Sequence, residues 1–222
     1  MKNNHYALFP QLLGVYGYNE NEKLKKEINN IIGIYRDTKY EKREEHQGIV
    51  HYFNDHDQNL FGTMFDDNDV IQDFKAFLIR KVNLYADEMG YDHPGFFISD
   101  AWINICNNGN YQHPHNHVNS FFSRTYYLNY DKEVHPTLRF TNPNLNNSSG
   151  HPSMNLEKKN PMENNTNADI YTCDFVEEGD LLIWQSGLSH SYGISKADER
   201  ISISMNFFPR YLRQGEYSVS FT

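Results

Sequence analysis

The chain has 222 residues and 26.2 kDa, with 20 Lys and Arg against 29 Asp and Glu, a formal net charge of −9. That length fits one domain whose core needs no disulfide or metal to hold it, and the charge argues against a general nucleic-acid binder. Hydrophobic residues make up 38% and aromatics 15%, which excludes disordered and collagen-like chains and favours half-buried strands over a helical bundle.

Residues 5–18 are broken by Pro10 and two glycines and read as an edge strand or two. Over 20–35, Leu24, Ile28, Ile31 and Ile32 recur at helical spacing and predict a short amphipathic helix. Residues 36–64 are polar and turn-rich, with a strand-like stretch near Gly48–Phe53. The clearest helix covers 67–89, where Val70, Phe74, Phe77, Leu78, Val82, Tyr85 and Met89 form a stripe, Asp66 or Asp67 can cap it, and Gly90 stops it.

After Gly90 the pattern changes to period 2. Phe97–Cys106, Phe121–Tyr130, Thr137–Phe140, Ile170–Phe175, Asp180–Trp184 and Arg200–Phe208 read as strands, and Tyr217–Phe221 as a further one. Helices followed by many antiparallel strands predict a mainly β fold, a sandwich or small barrel with the helices on one outer face. A single domain over 1–222 is expected, with 1–92 as supporting strands and helices and 93–222 as the β core. The Asn-rich segment 141–169 reads as a long loop, a lid over a site.

Chemistry is concentrated in Gln112-His113-Pro114-His115-Asn116-His117. In an extended chain alternate residues share a face, so His115 and His117 can reach one metal. Imidazole suits Fe, Zn, Cu and Ni. His113 has the same parity, although Pro114 can bend it away.

A second signal follows. The turn-strand Gly179–Trp184 leads to Ser189-His190-Ser191, and ten residues after His190 a strand begins at Arg200. In that strand Arg200, Ser202, Ser204 and Asn206 alternate with Ile201, Ile203, Met205 and Phe207. A polar row can face solvent or line a ligand cavity. An Arg and a Ser two residues on suit a carboxylate, because guanidinium is a planar, permanently charged fork. The ligand would bind the metal at one end and carry a carboxylate further along, as 2-oxoglutarate does.

These segments, HNHVNS, RTYYLNY, GDLLIW, SHS and ERISISMNFF, resemble the Fe(II)- and 2-oxoglutarate-dependent oxygenases, in particular their prolyl-hydroxylase branch. A group of such oxygenases common in phage and marine bacterial genomes is similar in its H-x-H-x-N-S and R-I-S-I-S-x-N-F stretches. The resemblance implies a double-stranded β-helix, a jelly-roll barrel with N-terminal helices outside. It implies that His115, His117 and His190 hold Fe(II), and that Arg200, with Tyr127 and Ser202, holds the far carboxylate of 2-oxoglutarate. Asn104 and Asn206 are further candidates for contact with it. The implied reaction uses O2 to hydroxylate an unactivated C–H, releasing succinate and CO2.

One departure stands out, since the family's usual carboxylate ligand is replaced by His117. Two alternatives stay open: His113 with His115 as the working pair, or a carboxylate such as Asp131 completing the site. Two other function classes also fit, a cupin-type three-histidine enzyme without 2-oxoglutarate and a non-catalytic metal-binding β-sandwich. Trp184 is expected in the core, and Arg124 and Arg139 at the surface. The substrate is expected to be a protein side chain or a small metabolite, with no nucleic acid or membrane as partner. Cys106 and Cys173 form neither a disulfide framework nor a CxxC zinc site. With no 18-residue apolar run and no signal peptide in the N-terminal MKNNHYALFPQLLG, a cytoplasmic protein with reduced thiols is expected, in a host cytoplasm if phage-encoded. The sequons at Asn146, Asn147 and Asn164 then read as chance.

Overall fold

The computed structural model describes residues 10–37, 40–42, 48–53, 59–144 and 168–221. Most of the 141–169 loop, with the three sequons, lies outside them.

Two helices come first. Helix α1 (Asn21–Tyr35) buries Leu24, Ile28, Ile31 and Ile32, the stripe its spacing predicts. Helix α2 (Asp69–Glu88) buries Ile71, Phe74, Phe77, Leu78, Val82, Tyr85 and Ala86. Its cap is Asn68, whose side chain accepts the Ile71 N–H at 3.1 Å, rather than Asp66 or Asp67. The reason is local: a 3-10 turn over Thr63–Phe65 is still closing at Asp66, whose N–H goes to Thr63, so the extended cap conformation falls at Asn68. Beyond the helix Gly90 takes φ +80°, which a side chain would resist.

The strands form two main antiparallel sheets. The larger runs β1 (Gly14–Gly17), β9 (Asp180–Gln185), β6 (Phe122–Asn129), β11 (Arg200–Pro209), β4 (Phe96–Cys106), β3 (Val50–Tyr52), β2 (Tyr40–Lys42). The smaller runs β5 (Gln112–His115), β10 (His190–Tyr192), β7 (Leu138–Thr141), β8 (Ile170–Thr172). A separate hairpin pairs β12 (Tyr211–Gln214) with β13 (Tyr217–Ser220). Residues 36–64, expected to be mostly turns, supply β2 as well as β3. The short YEK of β2 carries no alternating apolar signal; its pairing with β3 supplies the missing stabilisation.

Period 2 divides each central strand between two cores. In β6, Phe122, Tyr126 and Leu128 face the helices, while Tyr127 faces the smaller sheet. In β9, Leu181 and Ile183 face the helices, and Leu182 and Trp184 face inward. In β11, Ile201, Ile203, Met205 and Phe207 join the helix-side core. Its polar row therefore points between the sheets, not to solvent. The inner apolar cluster of Tyr127, Leu138, Phe140, Leu182, Trp184 and Tyr192 fills one part of that interior. The rest is a cavity.

Candidate metal centre and co-substrate cavity

The cavity holds about 400 Å³, a size that suits a small ligand. Its walls come from both sheets, with His115, His117 and His190 on one side and Arg200, Ser202, Ser204 and Asn206 on the other.

The histidines meet because β5 and β10 pair antiparallel with His190 directly opposite His115. Their ring centroids are 4.3 Å apart, and His117 lies 5.3 Å from His115 and 5.2 Å from His190. The chain leaves β5 after His115, and the His117 N–H donates to the Ser186 carbonyl at 3.0 Å, which holds His117 against the same space. One ligand atom from each ring lies within 4.8 Å of the others. His115 Nδ1 is 3.0 Å from the His113 carbonyl, and His190 Nδ1 is 3.1 Å from the Leu188 carbonyl. A carbonyl oxygen only accepts, so both Nδ1 atoms carry hydrogen and both Nε2 atoms keep the lone pair that a metal requires. Burial, then the neighbouring His115 and His117, holds His190 well below the usual histidine range. Burial also lowers His115, against an opposing effect of the His113 carbonyl. Neutral imidazole is the ligating form.

The two alternatives are not assembled. His113 is exposed and packs against Tyr111, contributing its carbonyl rather than its ring. Asp131 is exposed in a turn and accepts the Glu133 N–H. Among the described residues, the metal-competent group at this site is the three histidines alone.

Arg200 is 1% exposed. Its Nε donates to the Pro136 carbonyl at 3.0 Å, its guanidinium carbon lies 3.9 Å from the Tyr192 ring centroid, and its Nη2 is buried without a partner. Among the described residues no carboxylate meets it. Glu199 just before it takes φ +60°, with its N–H on Asn107 Oδ1 and its carbonyl receiving Asn129 Nδ2. These bonds offset a conformation that costs about 1 kcal/mol or more, and they fix where β11 starts. A buried guanidinium with an orphan donor fits an anionic ligand. Together with three convergent imidazoles, this is the donor set that Fe(II) and a dicarboxylic co-substrate need.

The other expected contacts divide. Asn104 lines the cavity; its Nδ2 donates to Ser204 at 2.8 Å, and its Oδ1 is 2.6 Å from His51 Nδ1. Ser202 is buried and stands opposite Asn104 in the β4–β11 ladder. Asn206 Oδ1 accepts from Ser123, within a hydroxyl chain that continues to Ser186 and Ser120. Tyr127 is placed differently. It lies outside the cavity wall, and its hydroxyl accepts the Leu138 N–H at 3.0 Å and meets Thr137 at 3.5 Å. Tyr192 occupies the wall beside Arg200 instead, with its hydroxyl on Thr125 at 3.2 Å.

Two arginine expectations also change. Arg124 is not at the surface. It is 1% exposed, shares the strand face of Phe122 and Tyr126, lies over the Phe207 ring and donates to the Leu78 carbonyl of α2. Arg139 is half-buried and packs on Gly193, where a Cβ would come within 3.2 Å of the guanidinium. Trp184 is buried as expected, yet it also walls the cavity, edge-on to His190 at 4.8 Å. His51 and Asp100 line the cavity without having been singled out in the sequence. Parity could have found Asp100, because Trp102 and Asn104 share its strand face; His51 sits on a strand too short to show a pattern.

Residues 100–206 match a protein family described as "Putative 2OG-Fe(II) oxygenase". No curated protein sequence matches the chain. Among solved structures, a Pseudomonas putida prolyl-4-hydroxylase aligns at TM-score 0.57 and 12% identity, over 90% of this chain and 94% of that one. The epimerase SnoN, solved with Fe3+, α-ketoglutarate and nogalamycin RO, aligns at TM-score 0.61 and 12% identity, over 90% and 80%. A Trichoplax adhaerens prolyl hydroxylase, solved with a hypoxia-inducible-factor peptide, aligns at 0.54 and 10%, over 88% and 83%. At these identities the structures show the shared fold, a double-stranded β-helix. Residues 100–206, which match the 2OG-Fe(II) oxygenase family, carry the three histidines and the cavity-facing row from Arg200 to Asn206, a donor set compatible with Fe(II) as cofactor and 2-oxoglutarate and O2 as co-substrates.

Proposed function

We propose that this oxygenase hydroxylates an unactivated C–H bond of its prime substrate, with 2-oxoglutarate converted to succinate and CO2. His115, His117 and His190 would hold the iron. When bound, Fe(II) supplies the oxygen activation that side chains lack. The protein's own work is placement. Arg200 would take the far carboxylate of 2-oxoglutarate as a charge-assisted hydrogen bond. Ser202, Asn104 and Asn206 add hydroxyl and amide groups along the same wall. Tyr192 covers the guanidinium, and Phe140 and Trp184 keep water from the His190 side. Three neutral imidazoles leave the metal's full charge on the site, which strengthens its hold on an anionic chelator.

The observation that carries this reading is Arg200: a fully buried cation, with an orphan donor and no acid beside it among the described residues, in the wall of the cavity that holds the histidines. A three-histidine enzyme without 2-oxoglutarate has no need of it. We take 1–222 as one oxygenase unit, with 1–92 as scaffold and 93–222 as the jelly-roll core. The prime substrate is a protein side chain or small molecule, a choice supported by the peptide and nogalamycin complexes of the similar structures. A cytoplasmic setting, in a phage-infected host or otherwise, is supported by two buried, unpaired cysteines. No helix of the described residues is long and apolar enough to cross a membrane.

The test is succinate formation from 2-oxoglutarate by the Fe(II)-loaded protein in air, with His190→Ala as control. Slow succinate release by wild type, absent in the variant, supports the reading. No release by wild type, even with metal bound, removes it.

A further inference from the structure

A second cavity lies where α2 meets the start of β4, apart from the histidines. It holds about 380 Å³, within the range that small ligands fill. Helix α2 supplies Lys75 and Asn83, eight residues apart and so on one face. The first residues of β4 supply Phe96 and Phe97, Phe61 comes from the preceding turn, and Arg210 follows β11. The two cavities have no lining residue in common; along β4 the first begins at Asp100.

Its wall combines cations with apolar rings. Lys75 and Arg210 line it, and no acid does among the described residues. On a chain of net charge −9 this wall is locally positive. The half-buried Lys75 ammonium donates to the Phe61 carbonyl at 3.1 Å, which fixes it in place and leaves further N–H donors over. Arg210 is exposed on the open side. Its backbone N–H donates to the Gly95 carbonyl at 2.9 Å, and its guanidinium carbon lies 5.9 Å from the Phe97 ring centroid. Neither cation makes an ion pair with a described acid. Asp87, one turn beyond Asn83 on α2, lies instead 3.3 Å from His93 Nε2. The third feature is Asn83, whose Oδ1 is buried without a partner. It stands beside Gly95, where an added Cβ would be 3.8 Å from it. A buried acceptor left unpaired is costly, and a ligand O–H or N–H would satisfy it.

We propose that this cavity is a second ligand site, for a small aromatic carboxylate that also carries a hydroxyl or N–H. Lys75 and Arg210 would hold the carboxylate through charge-assisted hydrogen bonds, which are stronger than neutral ones. The ring would pack offset or edge-on against Phe61, Phe96 and Phe97. The hydroxyl or N–H would donate to Asn83 Oδ1. An amine of the same shape would meet two like charges. A carboxylate without a ring would leave the apolar wall uncovered. No metal ligand takes part, so the site stands whether or not the histidines hold iron.

The experiment is calorimetric titration of the full chain under argon, with Fe(II) and 2-oxoglutarate added to fill the first cavity. The probes are 4-hydroxyphenylacetate, phenylacetate, tyramine and acetate. 4-Hydroxyphenylacetate should bind about tenfold or more tightly than tyramine or acetate, and about threefold more tightly than phenylacetate. Lys75→Met and Arg210→Gln should each weaken it about threefold or more, and the double variant about tenfold or more. Asn83→Leu should remove the advantage over phenylacetate. Arg200→Ala should leave the affinity unchanged, which separates this site from the histidine cavity. Thermal melts check that the variants fold; Lys75→Gln, Arg210→Ser or Asn83→Ala replaces any that does not. Several outcomes would overturn the proposal: no binding of 4-hydroxyphenylacetate at millimolar concentration, or tyramine or acetate bound as tightly. So would an affinity that survives loss of both cations, a hydroxyl advantage that survives the Asn83 change, or binding lost in Arg200→Ala.

Discussion

His190 faces His115 across one rung of the β5–β10 ladder, with their ring centroids 4.3 Å apart and each Nδ1 pinned by the carbonyl of the residue two positions earlier in the chain. Two short strands thus pre-set two ligands before any metal arrives. His117 joins them from outside the strand, held by its own N–H on Ser186.

Single changes of His115, His117 or His190 to Ala should each abolish stoichiometric Fe(II) binding, read by metal analysis after gel filtration. His113→Ala should keep one metal per chain, because its ring lies apart from the cluster. Loss of metal in His113→Ala with retention in His117→Ala would reverse the assignment.

Tyr127 and Tyr192 should separate stability from ligand binding. Tyr127→Phe leaves the buried Leu138 N–H without its acceptor, which costs about 1–3 kcal/mol of folding free energy. Its 2-oxoglutarate affinity should stay near wild type. Tyr192→Ala strips the ring from over Arg200 and should weaken 2-oxoglutarate binding at least severalfold. Denaturant melts and calorimetry on both variants check this, and the reverse pattern would restore Tyr127 as the co-substrate contact.

The cap assignment has a simple stability test. Asn68→Ala should cost about 1 kcal/mol, through loss of the bond to the Ile71 N–H. Asp67→Ala should fall within about 0.5 kcal/mol of wild type. Equal losses in chemical denaturation would return the cap to the preceding aspartates.

The metal-free protein should lose stability in mild acid. His190 and His115 sit below their ordinary value, so the unfolded chain takes up these protons first. The stability concerned is present above the unfolded value of about 6.5 and declines as pH falls below it. Denaturant midpoints at about pH 7.5 and pH 5.5 should differ in that direction, and His190→Gln should reduce the difference. An unchanged difference in the variant would show that other groups set it.

Much of this was legible because burial leaves a period. Leu24, Ile28, Ile31 and Ile32 gave α1, and the unbroken alternation from Arg200 to Phe207 gave β11 and its two faces. Parity also put His115 and His117 together, while His190 came from family spacing. What stayed hidden depends on neighbours rather than pattern. Asp66, Asp67 and Asn68 are all competent caps, and only the preceding 3-10 turn selects among them. Tyr127 and Tyr192 both lie near Arg200, at 5.2 and 3.9 Å from their ring centroids, and strand pairing decides which hydroxyl is taken by backbone. Arg124 was readable, since it falls on the Phe122 and Tyr126 face, but a charge in that row contradicts the usual cost of burying one.

The central claim is that one cavity holds Fe(II) through histidines and 2-oxoglutarate through Arg200. It is tested most directly by titrating both ligands, without oxygen, into wild type and Arg200→Ala. A charge-assisted bond contributes on the order of 1.5–3 kcal/mol, so the variant should bind 2-oxoglutarate roughly tenfold to several hundredfold more weakly, with Fe(II) affinity nearly unchanged. Equal 2-oxoglutarate affinity in the two proteins, or none in either, would contradict the account.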